Sequence, residues 1–195
     1  MKNKPSDGVV TFAIQVSGKE IPATMSVSAI DLHFNVSGIA QSRIVILTDF
    51  VDGELDKSIY TTWPLGVSVN IKVGYDSLNT LLFSGKVERI NLDIQQGLGP
   101  LFEIICVNYD EEIVKSNQVT EFTYGEDILA LRLSEEEEGQ SGLIQTTGDA
   151  SLLPGGKVQI KGLGGPFSGR FEIETVNHNL KEGNWITELD LSKSQ

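Results

Sequence analysis

The stretch PLGVSVNIKVGYDSLNTLLFSGKV, from Pro64 to Val87, decides the fold. Val67, Val69, Ile71 and Val73 alternate with Ser68, Asn70 and Lys72, the period of a strand with one apolar face. Gly74-Tyr75-Asp76 then reads as a turn, and a second strand leaves through Phe83-Ser84-Gly85, with Val87 and Ile90 beyond. The phrase recurs. Pro154-Gly155-Gly156 leads through Val158, Ile160-Lys161 and Gly162 to Phe167-Ser168-Gly169, with Phe171, Ile173 and Val176 following. Order and residue types match; the gaps differ. A repeated strand pair points to two related β units, and to an assembly part rather than a one-pocket enzyme.

Outward from this phrase the period stays near two. Phe12, Ile14 and Val16 alternate with Ala13 and Gln15, and Ile30, Leu32, Phe34 and Val36 alternate with Asp31, His33 and Asn35. Phe102, Ile104 and Cys106 alternate more weakly with Glu103 and Ile105, which reads as a strand covered on both faces. Ser17-Gly18-Lys19, Val51-Asp52-Gly53 and Gly97-Leu98-Gly99-Pro100 separate these runs as turns. In the middle, Glu126 to Leu133 leads into Ser134 and then Glu135 to Glu138. Ser134 followed by acids resembles a helix N-cap, and Gly139 stops any helix soon after, so a short helix or a solvated acidic linker is expected. From Gly142 the β pattern returns, in a unit of about half the first one's length.

The net charge of −12 repels polyanions, and no cluster of basic residues with interleaved aromatics offsets it, so nucleic acid is not an expected partner. No apolar run approaches the roughly 20 residues of a membrane helix. Met1-Lys2-Asn3-Lys4-Pro5 has no apolar run behind it, so no secretory signal is expected. With Cys106 as the only cysteine, an intramolecular disulfide and a multi-thiolate zinc site are both excluded. Its place in an alternating strand reads as a buried structural thiol.

No catalytic constellation is visible. His33 lies on the polar face of a strand and His178 near a strand end, neither in a metal-ligand spacing; both read as polar or interfacial histidines. Gly-x-Ser-x-Gly is absent. Gly162-Leu163-Gly164-Gly165 lacks the lysine and helix of a phosphate loop, and Pro166 removes a donor; a hairpin connection is the reading. Glu135 to Glu138 lacks the alternating ligands and central glycine of a calcium loop. Trp63 and Trp185 form no exposed aromatic row. Catalytic residues, cofactor-binding residues and metal ligands are therefore all assigned as none, and no enzyme is expected.

The residues Gly66 to Asp76 and Leu82 to Val87 resemble a signature in the N-terminal region of VgrG (valine-glycine repeat) spike proteins and of the late-control D proteins of contractile phage tails. Phe12 to Val16, Gly18, Ile21, Val36, Ala40 and Ile44 to Leu47 fit its entry segment. Gly148 to Gly155, Phe167 to Gly169, His178 and Trp185 to Thr187 resemble the end of the hub region, closest to forms in extracellular contractile injection particles. This resemblance implies two similar tail-tube-type β-barrels per chain. It also implies three chains in a ring of pseudo-sixfold symmetry, matching a hexameric inner tube on one side and a trimeric spike on the other. Family hubs are longer, and the step from Leu131 to Gly142 is abrupt by comparison.

The expectation is thus an all-β chain with one or two short helices, built as a duplicated tail-tube-type barrel, the completeness of the second copy left open. The expected divisions are an N-terminal tube-like barrel over residues 1–116, an acidic linker or short helix over 117–141, and a C-terminal β unit over 142–195. The expected function is a structural baseplate hub, a homotrimeric ring adapting the inner tube to the spike. Its partners would be itself, the inner tube protein, a spike or spike-tip protein and other baseplate components, with no membrane insertion by this chain alone. It would be made in the bacterial cytoplasm and built into an injection particle, phage tail or secretion apparatus. The alternative is a monomeric β-sandwich module that binds carbohydrate or protein. No cofactor is expected.

Overall fold

A computed structural model describes residues 8–95, 99–109, 119–137 and 139–194. Met1 to Pro5, Gly97-Leu98 of one expected turn, Asn117 and Glu138 lie outside these residues. The chain opens with β1 (Val10–Val16), β2 (Lys19–Glu20), β3 (Ser26–Asn35), β4 (Ala40–Leu47), β5 (Phe50–Val51) and β6 (Glu54–Leu55). A five-residue helix, α1 (Ser58–Thr62), leads to β7 (Ser68–Tyr75), β8 (Leu78–Asp93) and β9 (Leu101–Asn108). Then come β10 (Val119–Thr123), β11 (Ala130–Glu136), β12 (Gly139–Thr147) and β13 (Lys157–Lys161). A 3-10 turn over Gly165–Phe167 precedes β14 (Gly169–Lys181) and β15 (Asn184–Ser194). The class is all-β with two short helical pieces, as the alternation requires.

Apart from the β5–β6 hairpin, the strands form one sheet. Within it two sets of six repeat one topology. The first set runs β1-β7-β8-β9-β4-β3, and the second runs β10-β13-β14-β15-β12-β11. Numbered along the chain within each set, both read first-fourth-fifth-sixth-third-second. The second copy has all six strands. One strand differs in direction: β1 is antiparallel to β7, whereas β10 is parallel to β13.

Atomic detail carries the duplication. The amide of Gly66 donates to the Val87 carbonyl (2.7 Å), Val67 to Pro64 (3.2 Å) and Val87 to Val67 (3.0 Å). In the second unit Gly155 donates to Ile173 (2.7 Å), Gly156 to Leu153 (3.1 Å) and Ile173 to Gly156 (2.9 Å). Gly66 and Gly155 both adopt positive φ, +79° and +74°, which explains glycine at this turn. One residue later than Val87 and Ile173 each long strand has an irregularity in its pairing with the next strand, between Val87 and Arg89 in β8 and between Ile173 and Thr175 in β14.

This register corrects half of the sequence phrase. Val69 opposes Gly85, and Val158 opposes Phe171. Gly85 therefore corresponds to Phe171, and Phe83 to Gly169; the two Phe-Ser-Gly triplets are not equivalent. The units exchange an aromatic and a glycine between two positions of one strand face. A Cβ at Gly85 would lie 2.6 Å from the Phe83 ring, so that ring occupies the space which Phe171 fills from the other position. Both phenylalanines are buried, while Phe167 stands in the 3-10 turn, partly exposed.

The linker-or-helix expectation over 117–141 is also corrected. β10 pairs with β13, and β11 forms a hairpin with β12, so strands of the second unit begin at Val119. Ala130, Arg132 and Ser134, small or polar and exposed, alternate with the partly buried Leu131 and Leu133, and this period prevails over the acidic run, of which Glu135 and Glu136 end β11 and Glu137 lies in the turn after it. Ser134 opposes Ser141 in the hairpin rather than capping a helix.

Two-residue turns set four of the hairpins. Ser17-Gly18, Asp52-Gly53, Asp76-Ser77 and Glu182-Gly183 all have positive φ at both positions, the type I′ geometry that matches strand twist. The buried side chains form one continuous core through both units, from Ile14, Ile44, Phe83 and Trp63 to Val158, Ile173 and Leu189. Each such side chain contributes roughly 1.5–3 kcal/mol on burial.

Candidate assembly interface

An unpaired strand edge is a surface on which another strand can add, because it presents a row of backbone donors and acceptors. Each long strand here has two partners in succession. β14 pairs with β13 over Lys157–Ile160, and beyond its irregularity the same edge pairs with β3 of the first unit. The equivalent strand β8 pairs with β7 as far as Lys86; beyond that, no strand among the described residues lies on that edge.

The β3–β14 junction joins the two units. Val176 opposes Phe34, His178 opposes Leu32 and Leu180 opposes Ile30 on the buried face. On the other face Asn177 opposes His33, whose Nδ1 lies 2.6 Å from the Asn177 Oδ1. Both histidines, far apart in sequence, thus stand in this junction. No group of three or more His, Cys, Asp or Glu able to hold an ion occurs among the described residues.

His178 is 1% exposed. The Trp185 indole N–H donates to its Nδ1 (3.3 Å), and the Thr187 hydroxyl lies 2.9 Å from the same atom. Thr187 also accepts from the Asp149 amide (3.1 Å). Phe34 of the first unit and Trp185 meet the imidazole edge-on, at 5.9 and 5.7 Å. Burial in this aromatic surround pushes the His178 pKa down to about 4, so the ring is neutral at physiological pH. A second bridge between units lies alongside: Tyr75 of β7 stacks on Trp185 at 5.4 Å and donates to the Gly148 carbonyl (3.3 Å). Gly148 is required there, because a Cβ would come within 1.9 Å of the Trp185 ring.

The outward face of the first unit carries a polar row. Arg43 donates to Asp31 (2.9 Å) and to Glu103, and Asn91 donates to Glu103 (3.2 Å). The Arg43 guanidinium, and after it the Asn91 amide, hold the Glu103 carboxyl below the usual range.

The remaining sequence candidates take bland places. Cys106 is fully buried, and burial pushes its thiol up to about 11, so it stays protonated and unreactive. Ser42 faces it from β4 with a buried hydroxyl that has no well-formed hydrogen bond, only the weak thiol contact. Gly162 to Gly165 connect the antiparallel pair β13 and β14, the hairpin role expected. Trp63 and Trp185 are both buried. Glu135 and Glu137 are exposed. The junction itself escaped the sequence reading. Its one signal was the polar pair Asn177 and Asn179 around His178, in a strand with no obvious partner.

A family model described as the Alg8 N-terminal domain matches residues 6–124. The chain belongs to this family. The Alg8 N-terminal match covers the first unit and reaches the end of β10. No curated protein matches the chain in sequence. Among solved structures it is similar to the tail protein from Neisseria meningitidis, with a TM-score of 0.64, 9% identity, and 95% of this chain and 96% of that chain covered. It is also similar to an E. coli component of the type VI secretion system, itself structurally similar to the bacteriophage tail proteins gp27 and gp5. That likeness has a TM-score of 0.61 and 8% identity over 93% of this chain and 77% of that one. A chain of the lidded Francisella PdpA–VgrG complex is similar at TM-score 0.52 and 10% identity, over 98% of this chain and 53% of that one. The fold of this member of the Alg8 N-terminal family is therefore the VgrG-like, phage-tail type.

Proposed function

We propose that this protein is a structural baseplate hub of a contractile injection apparatus: a homotrimeric ring adapting a hexameric inner tube to a central spike. The observation that carries the reading is the duplication. Two six-stranded units with one strand order let three chains present six similar faces, which is how a threefold ring meets a sixfold partner. The likeness to tail and secretion-system proteins supports a structural part in such a particle rather than catalysis. The inner tube protein, a spike or spike-tip protein and other baseplate components would be its partners. The chain would be made in the bacterial cytoplasm and assembled from there. The test is solution mass by light scattering on a sizing column, with negative-stain imaging of the peak. A trimer showing a near-sixfold ring with a central hole is expected; a monomer at every concentration would favour the sandwich-type binding module.

A further inference from the structure

We infer that the free edge of β8 in one chain pairs with the free edge of β11 in a second copy, in a register fixed by the β3–β14 junction. The inference rests on the ring reading and specifies its contact. Two four-residue rows, one in each unit, define the correspondence. In the first unit Ile30, Ile44, Ile104 and Ile90 lie opposite one another in turn across β3, β4, β9 and β8. In the second, Leu131, Ile144, Leu189 and Val176 do so across β11, β12, β15 and β14. Hence β3 corresponds to β11 and the far half of β14 to the far half of β8. Within the chain, β3 of the first unit meets β14 of the second. A second junction of the same kind must bring β11 of the second unit to β8 of another chain's first unit. Within one chain, β8 and β11 have no such partner among the described residues.

The register follows. Leu180 opposes Ile30 within the chain, so Ile94 of one copy opposes Leu131 of the next. Likewise Asn179 opposite Asp31 becomes Asp93 opposite Arg132, and His178 opposite Leu32 becomes Leu92 opposite Leu133. The side chains of these three pairs are complementary. Two apolar pairs flank one pair of opposite charges, and no like charges meet anywhere along the run. A slip of one residue reverses the faces, and a slip of two in either direction separates Asp93 from Arg132. Leu92, near the end of β8, and Ile94, just past it, are 40% and 53% exposed, and no strand among the described residues pairs with that edge. Arg132 is exposed and forms no ion pair among the described residues.

The experiment uses the full chain carrying Asp93→Cys with Arg132→Cys, and separately Ile94→Cys with Leu131→Cys. Neighbouring antiparallel pairs alternate in spacing, so the two sets sample both geometries. Under mild oxidant, disulfide-linked species up to the size of the native assembly are expected, with little linkage in the shifted control Asp93→Cys with Ser134→Cys. Asp93→Arg should weaken assembly about tenfold per contact, and adding Arg132→Asp should restore it. If the wild type forms a ring by mass and image, yet neither pair links, or the shifted control links equally, the proposed pairing is overturned while the hub reading stands. A wild type that is monomeric at every concentration overturns both.

Discussion

The two units share strand order but differ in one layer of the core. In the first unit, Ile46, Phe102 and Leu92 lie opposite one another in turn across β4, β9 and β8. In the second, Thr146, Thr187 and His178 hold the equivalent places across β12, β15 and β14. Thr146 donates to the Asp127 carbonyl (2.9 Å), and Thr187 and His178 share the network around Trp185. The same fold position is apolar in one copy and polar in the other. The end positions show why burial differs as well. His178 is covered because β3 pairs with its edge, whereas no strand among the described residues covers the same edge at Leu92, which is exposed. Burial in a duplicated sheet is thus set by whichever unit stands next door, not by the strand alone.

The comparison can be broken most severely at Gly148. Its counterpart across the strand repeat is Thr48: the Thr48 amide donates to Pro100 (3.2 Å) as the Gly148 amide donates to Trp185 (2.9 Å). Only at Gly148 does an indole lie where a side chain would begin. Gly148→Ala should cost about 3 kcal/mol or more in urea denaturation, and Thr48→Ala far less. An equal, small effect would mean that the Tyr75–Trp185 stack does not hold the units together.

The next test uses pH. Neutral His178 is favoured in the fold, with its pKa near 4 against about 6.5 when unfolded. Below pH 6.5 the unfolded state takes up a proton that the folded state refuses. The stabilisation is therefore complete above pH 6.5 and is lost as pH falls toward 4, by roughly 3 kcal/mol over that window. His178→Leu, which installs the first unit's residue, should flatten this slope between pH 7 and 4.5. It should also lower stability at pH 7 by about 1–3 kcal/mol, since Trp185 and Thr187 lose their partner. An unchanged acid slope in the variant would show that other groups govern it.

The smallest effect sharpens the comparison in the opposite direction. Ser42 and Gly142 are equivalent, opposing Cys106 and Leu191. Removing the unpartnered hydroxyl by Ser42→Ala should raise stability by about 1 kcal/mol, seen as a rise of roughly 2–4 °C in melting temperature. A loss of stability would mean that the Cys106 thiol is a real partner.

Much of this was legible in the chain because the signals are local. Ser17-Gly18 and Asp52-Gly53 announced their turns, and Val69, Ile71, Val158 and Ile160 announced their buried faces, since turn chemistry and period two act over a few residues. The Phe-Ser-Gly triplets misled because the β13–β14 connection places its triplet two positions early, and only pairing reveals that. β11 was obscured because the run from Glu135 to Glu138 outweighed the alternation before it. The junction at His33 and His178 could not be read at all: it depends on which of several edges meet, a choice made by the whole sheet.

That junction has a consequence for the order of synthesis. The His33–Asn177 contact spans 144 residues. While the ribosome makes the second unit, the outer edge of β3 has no partner from its own chain until β14 has emerged. Pairings this remote form late and leave nascent edges open to neighbours on the same messenger. An element that locks the finished protein is thereby also the step at which crowded translation most readily joins the wrong copies.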